Sequence, residues 1–227
     1  YQEAKKAGIN PVLGYEAYIA PGSRFERDAG SMREASYHLT LLAMNRTGFK
    51  NLIRLSSAAF LEGFYFKPRI DREILEAYSE GIICLSGCVS SEFNRTILRT
   101  GDDTAERKEA EKIAQWFHGV FGDRYYIEVS RLGFSDEAVY FAGVTTLAAE
   151  QRIPMVATNS VCFLSQADFE AHEARVCIQS GRVLDDQTRP KHHTQKQFFR
   201  SSSEMQALFA DRPDCLTNTV VVAMRCN

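Results

Sequence analysis

Short apolar segments alternate with amphipathic segments along most of the chain, and this alternation constrains the fold more than any other feature. The apolar segments are rich in β-branched and aromatic residues and are bounded by polar or turn-forming residues, which is typical of strands. The predicted strands are residues 11–20, 38–44, 81–87, 125–129 and 154–158. Strands that alternate with helices indicate a mainly parallel α/β sheet, either open and doubly wound or closed into a barrel.

The amphipathic segments place apolar residues at helical spacing. The predicted helices are residues 49–61, 70–78, 104–120, 136–152, 167–179, 203–209 and 214–225. Asp71 is expected to cap the second of these helices. Residues 1–8 resemble the end of a helix with Gly8 at its carboxyl cap, and no initiator methionine is present, so we expect the chain to be a fragment that lacks upstream sequence. Polar loops are predicted at residues 21–36 and 190–197.

A length of 227 residues fits one large domain, or a domain with an appendage. No glycine-rich phosphate-binding motif of the G-x-G-x-x-G or G-x-x-x-x-G-K-[ST] type follows a predicted strand, which weakens a nucleotide-binding interpretation. In a barrel, the chemistry lies where strands end and loops begin. Residues at the ends of the predicted strands are therefore the main candidates for a functional site.

Composition limits the classes of function. The 27 basic and 29 acidic residues give a net charge of −2, whereas a domain that binds nucleic acid over its whole surface is normally strongly basic. The obvious basic patch comprises Arg189, Lys191, Lys196 and Arg200, and a solvated loop explains it equally well. No apolar run approaches the about 20 residues of a membrane-spanning helix. The six cysteines form no C-x-x-C motif, which indicates reduced thiols in a cytoplasmic protein.

Three residues in or beside predicted strands are candidate metal ligands, and each has a second interpretation. Glu16 lies in an otherwise apolar strand, where it either binds a metal or points to solvent on the alternate face. His38 begins a strand and is either a ligand or a hydrogen-bonded structural histidine. Cys88 follows a strand and is either a zinc ligand or a small buried side chain.

The remaining candidates carry a structural interpretation. Residues 159–162 (Asn-Ser-Val-Cys) follow a strand, but a serine or cysteine nucleophile needs an adjacent base, and the nearest histidine is His172 in the next predicted helix. The tandem pair His192 and His193 is expected in a solvated loop, because neighbouring residues rarely place both rings on one metal. His118 is expected to be a surface or capping residue.

Several stretches together resemble one family: AKKAGINPVLGYEAYIAPGSRF, YHLTLLAMNRTGFKNLIRLSSAAFLEGFYFKPRIDREIL, EGIICLSGCVSSE and VATNSVCFL. The closing stretches LDDQTRP, SSSEMQALFAD and AMRCN fit the same family. They are similar to the polymerase and histidinol phosphatase (PHP) domain of bacterial replicative DNA polymerase III alpha subunits. The resemblance covers residues 4–227. It implies a distorted, TIM-like (β/α)7 barrel whose N-terminal strands are missing here, with residues 1–227 as one PHP domain that ends near the junction with the polymerase palm.

The resemblance also implies a metal site at one mouth of the barrel. On the matching motifs Glu16, His38 and Cys88 would be ligands, for zinc or another divalent metal that activates water and clamps phosphate oxygens. Intact members of the family carry an Asp-x-His pair where this chain has Ser160 and Cys162. Their His-x-His and Asp-His elements lie upstream of this fragment. We therefore expect a decayed or incomplete site in which metal is weakly bound or absent.

The function implied is that of a part of a DNA-directed DNA polymerase that replicates the chromosome. With a decayed metal site, the domain would be a structural scaffold and a docking platform for the proofreading exonuclease (epsilon) subunit. The polymerase site, with its magnesium, would lie outside the fragment. Other replicase subunits would be further partners, and DNA would be bound through the rest of the parent chain. The alternatives are an active metal-dependent 3′–5′ exonuclease or phosphoesterase, and a free-standing amidohydrolase-like enzyme.

Overall fold

The computed structural model describes residues 1–87, 91–100 and 104–226. Within them, seven strands form one sheet in the order β3-β4-β1-β2-β5-β6-β7. The strands are β1 (Gly14–Ile19), β2 (Tyr37–Ala43), β3 (Phe64–Tyr65), β4 (Lys67–Ile70), β5 (Ile82–Leu85), β6 (Tyr125–Val129) and β7 (Met155–Ala157). The helices are α1 (Gln2–Lys6), α2 (Met32–Ala35), α3 (Arg46–Leu61), α4 (Arg72–Ala77), α5 (Glu92–Thr100), α6 (Thr104–Phe121), α7 (Glu137–Gln151), α8 (Phe169–Ser180), α9 (Ser202–Leu208) and α10 (Pro213–Arg225).

The sheet is mixed, so the expectation of a mainly parallel sheet was wrong for its centre. Strand β2 runs antiparallel to both of its neighbours, β1 and β5. Strand β1 pairs in parallel with β4, and β5, β6 and β7 pair in parallel with one another. The carboxyl ends of β1, β4, β5, β6 and β7 therefore lie at the same edge of the sheet as the amino end of β2.

The two faces of the sheet are buried in different ways. On β2, Leu39 and Leu41 belong to a large apolar core that also contains Leu55 of α3, Phe117 of α6 and Val144 of α7. Side chains alternate between the two faces along each strand, so the strands present a second set of side chains on the opposite face. Helix α10 covers part of that face. There, a smaller apolar cluster consists of Ile83, Leu85, Tyr126, Val156, Val222 and Cys226. We call this second face the inner face.

Several predicted elements are confirmed. Strand β6 has the predicted bounds, α6 is one residue longer than predicted, and α7 is one residue shorter than predicted at each end. The side chain of Asp71 caps α4 by accepting a hydrogen bond of 3.1 Å from the backbone N–H of Ile74, as predicted. Gly8 follows α1 with a φ of 74°, in agreement with the helix end predicted there.

Other predictions need correction. Ile70 belongs to β4 and not to a helix, because it pairs with Ile19 of β1. The short strands β3 and β4 and the helix α5 were not predicted, and α2 interrupts the loop predicted at residues 21–36. Cys88 lies outside the described residues.

Barrel closure stays a prediction, since the strand pairs in the described ranges do not join β7 to β3. The five cysteines that the structure describes are free thiols, as expected. None of the helices in the described part of the chain combines the length and the apolar character needed to cross a membrane.

Candidate metal centre

Polar side chains collect on the inner face at the edge where the carboxyl ends of the parallel strands meet. Glu16 of β1 is paired across the strands with Thr40 of β2, and Tyr18 is paired with His38. Residues that lie opposite each other point to the same face of a sheet. The reversed direction of β2 brings His38 to this edge, although His38 begins its strand instead of ending it. The structure thus places Glu16 and His38 on one face.

His38 is half-buried and packs edge-on against the ring of Tyr18, with 4.9 Å between ring centroids. Burial lowers the pKa of His38; the negative charge of Glu16 opposes this, and the positive charges of Arg95 and Lys67 reinforce it. The imidazole is therefore neutral at pH 7, which is the form that binds a metal. Glu16 is exposed at the mouth of the site.

Glu128 of β6 is a second acidic residue at this edge, and sequence reasoning missed it. Its side chain is only 5% exposed. The hydroxyl of Thr40 donates to Oε2 of Glu128 over 3.1 Å, and the hydroxyl of Thr158 donates to Oε1 over 2.7 Å. These bonds link β2, β6 and the end of β7 across the inner face. A lone glutamate in the apolar strand YYIEV was the available signal, since a buried carboxylate needs partners.

The predicted set of ligands is incomplete within the described residues. Glu16 and His38 supply one carboxylate and one imidazole, whereas Cys88 lies outside the described residues. In the described ranges, no group of three close His, Cys, Asp or Glu donors includes Glu16 or His38. These described donors do not by themselves fit a di- or trinuclear cluster, and the role of Cys88 stays a prediction.

Ser160 and Cys162 lie on the loop after β7, where the resemblance pointed to an altered corner. This loop is held by Gln197, whose carbonyl accepts a 2.8 Å hydrogen bond from the backbone N–H of Cys162. The amide of Gln197 also donates to the Cys162 sulfur over 3.5 Å. Burial raises the pKa of the Cys162 thiol, Arg175 lowers it and Glu16 raises it further, so the metal-free thiol is protonated at neutral pH.

Cys162 lies close to two histidines. One ligand atom each from Cys162, His172 and His193 lie within 4.8 Å of one another, and this is the one such group of three in the described ranges. The rings of His172 and His193 meet edge-on with centroids 4.5 Å apart. We call these three residues the cysteine–histidine cluster. They come from the loop after β7, from α8 and from the loop before α9.

The interpretation of the histidine pair was right for one member and wrong for the other. His192 is exposed, as expected of a solvated loop. The side chain of His193 is only 24% exposed and faces the buried carboxylate of Glu173, with 3.6 Å between Nδ1 and Oε1. Neighbouring residues on an extended loop point in opposite directions, so one ring can enter a site that the other cannot reach. His118 is half-buried in the last turn of α6, and its role as a surface or capping residue stays a prediction.

Comparisons with known proteins agree with this architecture. A family model described as the PHP domain matches residues 1–132. The chain is 40% identical over 228 residues to DNA polymerase III subunit alpha of Borreliella burgdorferi, and 39% identical over 233 residues to DNA polymerase III subunit alpha of Thermus aquaticus. Both alignments cover 100% of this chain, but only 19% and 18% of those relatives. The chain thus spans about a fifth of the length of the curated relatives it matches.

Proposed function

The chain belongs to the PHP domain family, and from this premise we propose that it serves a replicative DNA polymerase alpha subunit as a scaffold domain with a decayed metal site. The whole protein would carry out template-directed DNA synthesis in the cytoplasm. Its magnesium-dependent polymerase site, its contacts with DNA and its contacts with other replicase subunits would lie in the rest of the parent chain. The net charge of −2 supports this division, because extensive phosphate contacts need a basic surface.

We extend the proposed PHP domain from the matched residues 1–132 to residues 1–227, ending near the polymerase palm. Continuity of the core supports this extension. Phe209 and Cys215 are fully buried in the same apolar cluster as Leu41 and Leu55. Strand β7 pairs with β6, and Asn218 of α10 donates a 2.7 Å hydrogen bond to the carbonyl of Met155 in β7.

The composition of the altered corner carries the proposal of a decayed site. Ser160 and Cys162 supply a hydroxyl and a thiol where intact members of the family have a carboxylate and an imidazole. A serine hydroxyl is a poor ligand at neutral pH. The thiol of Cys162 is held near two histidines and Gln197, which lie outside the predicted set of Glu16, His38 and Cys88. Such a corner is poorly suited to holding a second metal beside the first, as phosphoester hydrolysis on metal pairs requires.

A domain that has lost its own hydrolytic chemistry retains its surface, and we propose that this surface docks the proofreading exonuclease subunit.

One feature favours the alternative of an active phosphoesterase or 3′–5′ exonuclease. Glu16 and His38 lie on one face with a neutral imidazole, which is a suitable start for a metal site.

Two assays on the full-length subunit separate these functions. The first measures metal-dependent release of 3′ nucleotides by the wild type, by Glu16→Gln and His38→Asn, and by His192→Asn as an exposed control. We expect only background release from all four proteins. Release that is lost in Glu16→Gln and His38→Asn but kept in His192→Asn would establish the active enzyme and overturn the decayed site.

The second assay measures co-elution of the subunit with purified exonuclease subunit in size-exclusion chromatography. We expect a stable complex in the wild type and in His38→Asn, because docking needs no bound metal at that histidine. Separate elution of the two wild-type proteins would contradict the docking role.

A further inference from the structure

Two buried polar atoms, one in the cysteine–histidine cluster and one beside it, have no hydrogen-bond partner among the described residues. His172 is only 7% exposed, and its Nε2 has no hydrogen-bond partner among the described residues. Glu173 is 3% exposed, and its Oε1 likewise has no hydrogen-bond partner in the described part of the chain. Leaving a buried polar atom unpaired costs about 1–3 kcal/mol, so such atoms usually mark a missing ligand, water or ion.

The chemistry of the three donors matches one class of ligand. A thiolate and two imidazoles suit zinc and similar borderline transition metals, whereas calcium and magnesium prefer oxygen. From this match and from the unpartnered His172 we propose that Cys162, His172 and His193 bind one zinc-type divalent metal ion. Cys162 lies at the altered corner, whereas His172 and His193 lie outside the set of ligands that the family implies. The proposed site is independent of the proposed docking role.

The distances allow this ion with a small adjustment. Zinc–nitrogen and zinc–sulfur bonds of about 2.0–2.3 Å place the donors of a tetrahedral site about 3.5 Å apart. The three donor atoms lie within 4.8 Å of one another without a metal, so each pair needs to approach by at most about 1.3 Å. His193 is on a loop and Cys162 is on another, which makes such an approach feasible without moving the sheet.

Neighbouring groups are placed to support the ligands. The carboxylate of Glu173 lies 3.6 Å from Nδ1 of His193, which favours a proton on that nitrogen and leaves the other one for a metal. Glu173 is itself held in place by Arg189, which donates to its other oxygen. The amide of Gln197 donates to the Cys162 sulfur and would stabilise the thiolate that a metal requires.

One contact opposes metal binding and identifies a change that the site must undergo. Nη2 of Arg175 lies 3.3 Å from Nδ1 of His172, and a donated hydrogen bond there keeps the ring proton on Nε2. Ligation through Nε2 needs the proton on Nδ1 instead. Arg175 is exposed on a flexible stem, so it can turn to solvent when the metal enters.

The consequence of binding follows from the chain segments involved. The metal would join α8 to the loop after β7 and to the loop before α9. These two loops already contact each other through Asn159, whose amide donates a 2.7 Å hydrogen bond to the carbonyl of Phe198. A bound ion would therefore act as a structural clip on a preformed junction and raise its resistance to unfolding.

Titration of the purified full chain with Co²⁺ tests the proposal, because cobalt replaces zinc and a thiolate bound to it absorbs in the near ultraviolet. Two cysteine variants, Cys162→Ser and Cys88→Ser, identify the thiolate. Two neighbouring histidine variants, His193→Ala and His192→Ala, identify the imidazole. Circular dichroism of each metal-free variant checks that it is folded.

We expect a thiolate–cobalt band that saturates at one equivalent, that disappears in Cys162→Ser and that persists in Cys88→Ser. We also expect His193→Ala to weaken cobalt binding by about tenfold or more, and His192→Ala to leave it unchanged. A band that survives in Cys162→Ser, no band in the wild type, or equal effects of the two histidine variants would overturn the proposed site. None of these results bears on exonuclease docking, which has its own assay.

Discussion

The turn that follows β5 packs against the backbone of His38, and this contact can be tested quantitatively at Gly87. Gly87 adopts a φ of +82°, in the left-handed region that side chains disfavour. A Cβ atom at this position would lie 2.6 Å from the carbonyl oxygen of His38 and 3.1 Å from its carbonyl carbon. Gly87→Ala therefore imposes two costs, one from its own backbone and one from the backbone of β2.

The two costs can be separated because the chain offers a matched control. Gly181, at the end of α8, has a φ of +67° and no atom within 4 Å of the corresponding Cβ position. Gly181→Ala should cost only the conformational part, about 1–2 kcal/mol. Gly87→Ala should cost a further 1–3 kcal/mol or so for overpacking, about 2–5 kcal/mol in total.

Urea unfolding of the two variants and the wild type measures these free energies. The two free energies of unfolding should differ by about 1–3 kcal/mol, which is the cost of the steric overlap between the added methyl group and the backbone of His38. Equal destabilisation by Gly87→Ala and Gly181→Ala would refute the tight contact between this turn and β2. It would also remove the reason to regard the position of His38 as fixed.

Three other predictions use single contacts. Gly48→Ala should lower the stability by about 1–3 kcal/mol, because its Cβ would lie 1.8 Å from the carbonyl oxygen of Gly81. Gly119→Ala should raise the stability by about 0.5–1 kcal/mol, because its Cβ would meet no atom within 4 Å and alanine favours a helix. Shifts of the same sign in the two melting temperatures would contradict this pair of predictions. Arg175→Ala should strengthen cobalt binding at the cysteine–histidine cluster, because it removes a positive charge and frees the Nδ1 it contacts; weaker binding would contradict the tautomer change. The pKa of Asp186 is lowered to about 2, mainly by hydrogen bonds from the hydroxyl and backbone N–H of Thr188, so its contribution to stability is present above the usual pKa and is lost as the pH falls through about 2. Thr188→Val should raise that pKa toward its usual value in a carboxyl NMR titration, and an unchanged midpoint would show that the hydroxyl is not the cause.

Local patterns predicted those elements whose formation depends mostly on local sequence. Helix α7 matches its prediction to within one residue at each end. Its buried residues recur at helical spacing (Tyr140, Val144, Leu147 and Ala148), and the helix ends at a left-handed cap at Arg152. Strand β4 was missed because only two of its residues, Arg69 and Ile70, pair with β1, and such a contact leaves no periodic signal. The reversal of β2 was missed for a related reason, since strand direction depends on which neighbour a strand pairs with and not on its own composition.

In the candidate site, too, the residues that stand out in the local sequence could be predicted, and those brought together only by the packed fold could not. Glu16 and His38 could be singled out because a charged or titratable residue in an apolar strand stands out in the sequence. The closeness of Cys162, His172 and His193 could not be predicted, because the three residues come from separate segments that only the packed fold brings together. Their spacing also differs from the short cysteine and histidine intervals of known structural zinc motifs.

The proposed metal at the cysteine–histidine cluster and the proposed decay of the phosphoesterase site are compatible, because a structural metal and a hydrolytic metal pair need different ligands. Hydrolysis on a metal pair needs two ions about 3.5–4 Å apart that share a clamp on the substrate phosphate. The cluster has three donor residues, which suffice for one ion, and coordination by one thiolate would leave one net positive charge on a divalent ion. Cys162 cannot hold this ion and also supply the ligands of an Asp-x-His corner. A metal bound by the cluster would therefore occupy Cys162, so the altered corner would support the fold and could not supply a ligand for hydrolysis.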